Sequence, residues 1–132
     1  MGNKLSLRDI LIKDGLVNES FFNTYNAISD ELLFTKLQHD RIFSESTLHN
    51  SIQNVLGLSI CTDKDFQYDT NLNSELFKKL KQLWCLPIYE TDTTLALAAY
   101  NPFILKNFNF SKNVNLILTP KEFLISKLGL NS

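Results

Sequence analysis

The side chains that could ligate a metal or attack a substrate are few and scattered. His39 and His49 lack a paired Cys or carboxylate at ligand spacing, so both are expected as exposed helix residues rather than zinc ligands. Cys61 and Cys85 have no metal-like spacing, and neither sits in a Cys/His nucleophile context. Asp63, Asp65 and Asp69 could suggest calcium, but the central Gly and terminal Glu of an EF-hand loop are missing. The four glycines, Gly2, Gly15, Gly57 and Gly129, lie far apart, so no phosphate-cradling loop of the Walker or dinucleotide type can be written. The pattern predicts no catalytic residue, no metal, no cofactor and no enzyme in this chain alone.

Two further features invite chemistry and have plainer explanations. Lys78, Lys79 and Lys81 form a basic run, which a solvated face near a helix C-terminus accounts for. Gly2 with Ser6 matches an N-myristoylation pattern, but nothing nearby is polybasic and a single acyl chain anchors only marginally. The formal net charge of -1 argues against a nucleic-acid partner. No apolar run reaches the ~20 residues that a bilayer requires. With no apolar leader and only two cysteines, without metal-like spacing, the expected setting is reducing and cytoplasmic.

The first half is periodic. Leu7, Ile10 and Leu11 share a helical face, and Gly15 is a plausible stop. Asn18 can cap a second helix with Phe21, Phe22, Tyr25 and Ile28 as its stripe. The pattern recurs about 26 positions on: Leu7 maps to Leu33, Leu11 to Leu37 and Gly15 to Arg41. Leu16-Val17 maps to Ile42-Phe43, Asn18-Glu19 to Ser44-Glu45, and Phe22 to Leu48. This predicts two tandem helix-hairpin units, four short helices in all, the last ending at Gly57.

The second half centres on Leu83–Pro102, two β-prone runs parted by the polar stretch Glu90–Thr93. The run Thr94–Tyr100 is apolar on both faces of the pleat and should be a covered, central strand. Around it are expected a strand at 58–61, a helix capped by Asn73 or Ser74, a short helix over 102–108 and a strand at 114–118. Thr119-Pro120-Lys121-Glu122 reads as a capping box before a last helix that stops at Gly129. The fold class is α+β, a pair of helix-hairpin units followed by a small mixed sheet covered by helices. The expected divisions are 1–61, a connecting loop at 62–73, and 74–132.

The order of these motifs resembles the N-terminal domain of the bacterial type II secretion and type IV pilus assembly ATPases. "LRDILIKDGLVNESFF" looks like the first helix pair, "LPIYE…LALAAYNPF" like the hairpin and "TPKEFLISKL" like the closing helix. The resemblance implies a docking domain of a longer ATPase polypeptide. Its partners would be cytoplasmic domains of inner-membrane platform proteins, with membrane association only indirect. For such docking the candidate residues are Phe21, Tyr25, Phe43, Phe108 and Phe110. A subset of the family binds cyclic di-GMP on the paired helix units, through tandem Arg-Leu-Gly, Gly and Gln positions. Here Ser6-Leu7-Arg8 and Leu32-Leu33-Phe34 replace the triplets, Gly15 is kept, Arg41 replaces the second glycine, and Ser29 and Val55 stand near the Gln positions. A regulatory cyclic di-GMP domain and a free-standing adaptor are the alternative readings.

Overall fold

A computed structural model describes residues 5–25, 28–68 and 75–128. The Gly2 pattern, Asp69, the expected cap at Asn73 or Ser74 and the stop at Gly129 lie outside them. The chain divides into two compact units, 1–58 and 59–132. The division falls before Ser59 because Ser59–Ile60 pairs with a strand of the second unit.

In the first unit, helix α1 spans Leu7–Lys13. Ser6 Oγ accepts from the Asp9 amide, and the Asp9 carboxylate accepts from the Ser6 amide in return, closing a capping box. Seven residues are too few for a self-supporting helix. Leu7, Ile10 and Leu11 are fully buried, and each contributes ~1.5–3 kcal/mol by packing. Helix α2 spans Asp30–His39 and buries Leu33, Phe34 and Leu37. Helix α3 spans Glu45–Leu56, is capped by Ser44, and ends where Gly57 turns left-handed at φ 73°.

The second expected helix is instead a short 3₁₀ turn, Glu19–Asn23. Asn18 caps it as anticipated. Beyond it, Arg8 donates to the carbonyls of Tyr25 at 2.7 Å and Ile28 at 3.3 Å. Ser29 then caps α2, its hydroxyl accepting from the Leu32 amide. The α+β class is observed, but only three of the four short helices of the first half are α-helical among the described residues.

The second unit holds a four-stranded mixed sheet in the order β1-β4-β3-β2: β1 Ser59–Ile60, β2 Cys85–Glu90, β3 Thr94–Ala99 and β4 Asn113–Leu118. Strands β2 and β3 form the expected antiparallel hairpin, and β3 runs parallel to β4. β3 is internal and buried from Leu95 to Ala99, as its two-sided apolar pattern predicts. β2 is an edge strand carrying Pro87, and its register slips between Pro87 and Tyr89. The opposite edge, β1, has two residues.

Helix α4, Glu75–Gln82, buries Phe77 and Leu80 in a cluster with Cys85, Leu95, Leu97, Ala99 and Ile104. Lys78 and Lys79 are exposed on its outer side. Pro102–Asn107 is a 3₁₀ turn rather than an α-helix, capped by the buried Asn101 whose Oδ1 accepts from the Phe103 amide. Helix α5 spans Lys121–Leu128. The Thr119 hydroxyl donates to the Ile117 carbonyl, and the Pro120 carbonyl accepts the first helical bonds from Phe123 and Leu124. Pro120 therefore sits just before the first helical residue, Lys121. In the described part of the connecting segment, Tyr68 donates to the Lys127 carbonyl, and the Lys127 ammonium lies 5.3 Å over the Phe66 ring.

Candidate functional site

The repeat read from the sequence is a repeat of backbone geometry. After α1, the amides of Asp14, Gly15 and Leu16 donate to Ile10, Ile12 and Leu11 at 2.9, 3.0 and 3.0 Å. After α2, the amides of Asp40, Arg41 and Ile42 donate to Lys36, Gln38 and Leu37 at 2.8, 3.0 and 2.9 Å. Donors and acceptors all move by the same interval, and each set closes the helix in a Schellman-type turn. The pivot is left-handed in both, φ 80° at Gly15 and 60° at Arg41. A Cβ at Gly15 would meet nothing within 4 Å, so dihedral angle and not space favours glycine there.

The match continues past the pivot. Leu16 is 39% exposed and Ile42 is 44% exposed, among the few large apolar side chains left in solvent. Asn18 Oδ1 accepts from the Phe21 amide, and Ser44 Oγ accepts from the Thr47 amide. Asp14 and Asp40 occupy the two C-caps, while Glu19 and Glu45 open the two following elements. The Asp14–Asp40 correspondence is visible in the sequence as the hexamers DGLVNE and DRIFSE.

Both loops border shallow cavities that share Phe43. One, of about 530 Å³, is lined by Gly15, Leu16, Val17, Asn18, Phe21 and Phe43. The other, of about 390 Å³, is lined by Gln38, Arg41, Phe43, Ser44 and Glu45. Phe43 is half-buried, with its ring 6.1 Å from that of Phe21. Phe21 in turn contacts Phe22 and Tyr25 at 5.1 and 5.5 Å.

The five docking candidates fall in different environments. Phe21 and Phe43 line the first cavity. Tyr25 is buried, and its hydroxyl donates to Asp40 Oδ2 at 3.0 Å. Burial, assisted by that bond and by the Asp40 charge, raises the Tyr25 hydroxyl above its ordinary value. Phe108 and Phe110 pack on the core of the second unit, 6.3 Å from each other. The exposed apolar residues that sequence reasoning missed are Leu16, Leu32, Ile42 and Tyr89. Residue type gives no warning of them, because they match the buried core residues in type.

His39 is exposed as expected, whereas His49 is buried and stacks on Phe34 at 5.8 Å. It lies one residue beyond Leu48, so the inward arc of α3 is wider than its aliphatic stripe suggests. Among the described residues no group of three His, Cys, Asp or Glu could hold a metal, and no helix is long and apolar enough to cross a membrane. Burial pushes the Cys85 thiol up to about 12.

No family model and no curated protein matches the sequence. Solved structures do. A structure of MshE with cdg matches at TM-score 0.61 and 17% identity, covering 98% of this chain and 100% of that one. The N-terminal domain of XpsE matches at TM-score 0.66 and 14% identity over 97% of both chains. A second crystal form of it matches at 0.53 and 14%, over 98% of each chain. The chain thus has the fold of the XpsE N-terminal domain over nearly its whole length, which is the fold implied by the resemblance read in its sequence.

Proposed function

We propose that this chain is a docking domain of a type IV pilus assembly or type II secretion ATPase. It would couple the motor to cytoplasmic domains of inner-membrane platform proteins. The chain itself would do no chemistry; the ATP-hydrolysing domains would belong to the same polypeptide. The carrying observation is the pair of solvent-facing aliphatic side chains, Leu16 and Ile42, at matched points of two repeated loops. Exposed apolar side chains set on a rigid backbone are what a protein partner can cover.

The test is titration calorimetry of the chain against purified cytoplasmic platform domains from the source cell. Wild type should give saturable heat, and Leu16→Asp with Ile42→Asp should abolish it while the thermal melt stays cooperative. Saturable heat that survives the double variant would move docking off these loops. Absence of heat with every platform domain would sink the reading.

A second reading, a cyclic di-GMP-binding regulatory domain, draws support from the fold shared with MshE, whose structure carries cdg. Against it stand Arg41 at a glycine position and Ser29, whose hydroxyl is already engaged as an N-cap. Calorimetry with cyclic di-GMP separates the two readings. Heat that reaches saturation at micromolar ligand would favour regulation.

A further inference from the structure

The two repeats hold each other's turns. Asp14 and Asp40 are the matched C-caps, and each is gripped by a side chain from the second element of the other repeat. Asn54, on α3, donates to Asp14 Oδ1 at 3.4 Å. Tyr25, just past the 3₁₀ turn, donates to Asp40 Oδ2 at 3.0 Å. The first grip is long and exposed, the second shorter and partly buried. Lys36 also reaches Asp40, at 3.4 Å, but its side chain is 49% exposed and such a pair adds little.

The stronger grip falls on the strained turn. Gly15 adopts φ 80° without steric cost, whereas Arg41 at φ 60° carries a Cβ into the left-handed region. Such a conformation persists only where its neighbours hold it. Tyr25 is itself anchored, because Arg8 donates to its carbonyl at 2.7 Å and its ring lies 5.5 Å from that of Phe21. It therefore fixes the residue immediately before Arg41 from a rigid position. Two residues past the pivot comes Phe43, whose amide donates to the Leu37 carbonyl at 3.3 Å, the longest of the four bonds from Asp40 to Phe43. Phe43 lines both cavities.

We propose that Asp40–Phe43 is a latched gate. The Tyr25–Asp40 bond holds Arg41 left-handed and keeps Phe43 in the rim that the two cavities share. When that bond opens, Arg41 relaxes toward the right-handed region, the turn unwinds through Ile42, and Phe43 leaves the rim. The first turn, with glycine at its pivot, stores no such strain and stays closed. The gate is a property of this unit and holds whatever the chain docks to.

The experiment is amide hydrogen exchange of the full chain, read by NMR as protection factors, in wild type, Tyr25→Phe, Arg41→Gly and the double variant. Tyr25→Phe keeps the ring and removes the latch. Protection at Ile42 and Phe43 should fall about tenfold or more, as loss of a hydrogen bond to a charged group predicts, while the matched Leu16 stays within about twofold. Adding Arg41→Gly should restore most of the lost protection, because glycine tolerates the left-handed turn. Arg41→Gly alone should raise protection at Ile42 and Phe43 several-fold, which tests the strain even if Tyr25→Phe fails to fold. Chymotrypsin should cut after Phe43 several-fold faster in Tyr25→Phe than in wild type, since an open gate presents that bond to the protease. Unchanged protection at Ile42, an equal fall at Leu16, no gain from Arg41→Gly in either background, or unchanged cleavage after Phe43 would overturn the proposal.

Discussion

Gly15 and Arg41 hold the same left-handed backbone at the same point of two repeated turns, φ 80° and 60°. Only one of them is the residue that this conformation favours. An L-residue in that region costs roughly 1–2 kcal/mol, partly offset by the greater unfolded-state freedom that glycine brings. Arg41 is exposed, so its side chain has little packing to lose. Arg41→Gly should therefore stabilise the first unit by about 0.5–1 kcal/mol, and Gly15→Ala should cost about 1 kcal/mol. Urea midpoints with unchanged slopes would check both.

Arg8 is expected to resist conservative replacement. Its guanidinium reaches the Tyr25 and Ile28 carbonyls and lies 5.1 Å from the Phe22 ring centroid. Both bonds leave from Nη2, and a lysine ammonium on its shorter stem lacks the planar group that reaches these carbonyls while stacking on Phe22. Arg8→Lys should cost about 1–2 kcal/mol, read by chemical denaturation. Amide exchange should quicken around Glu19–Ile28 more than in the second unit.

Ser51 buries its hydroxyl without a hydrogen-bond partner among the described residues. Removing an unsatisfied buried hydroxyl recovers its desolvation cost. Ser51→Ala should be neutral or stabilising by up to about 1 kcal/mol, whereas Ser51→Val should overpack the site and destabilise. Thermal melts of the two variants would show opposite signs.

Stability should fall in alkali in two stages. The Cys85 thiol moves from its ordinary 9.0 to about 12 through burial, so folding favours its protonated form. Its contribution is complete below pH 9 and is lost as pH rises toward 12. Tyr25, raised by burial and by Asp40, adds a second loss starting near its ordinary 10.0. Cys85→Ala should remove the first stage and Tyr25→Phe the second, measured as denaturation midpoints between pH 8 and 11. In the native state a thiol reagent should label Cys61 well before Cys85, which is fully buried.

The sheet was the more legible half of the chain. A strand apolar on both faces, Thr94–Ala99, reads as central, and the polar break before it begins at Glu90, the last residue of β2, with the turn itself at Thr91–Thr93. The repeated interval was legible too, because caps and buried leucines recur in type. The shortness of the second element was not. Just beyond it Arg8 reaches across to the Tyr25 and Ile28 carbonyls, a tertiary contact that no local pattern carries. The candidate surface was harder still. Aromatic residues suggested an interface, but Tyr25, Phe108 and Phe110 pack inward. The exposed pair consists of ordinary aliphatics whose exposure follows from the two left-handed turns before them.

The ends of the sheet carry a consequence for assembly. One outer strand has two residues, and the other holds Pro87 and a slipped register. Neither offers an unbroken row of amides and carbonyls for a neighbouring chain to extend. Copies of this domain crowded side by side would be protected from fusing strand to strand. Lengthening β1, or replacing Pro87 with a β-branched residue, would remove that insulation and should appear first as concentration-dependent turbidity rather than as a lower melting temperature.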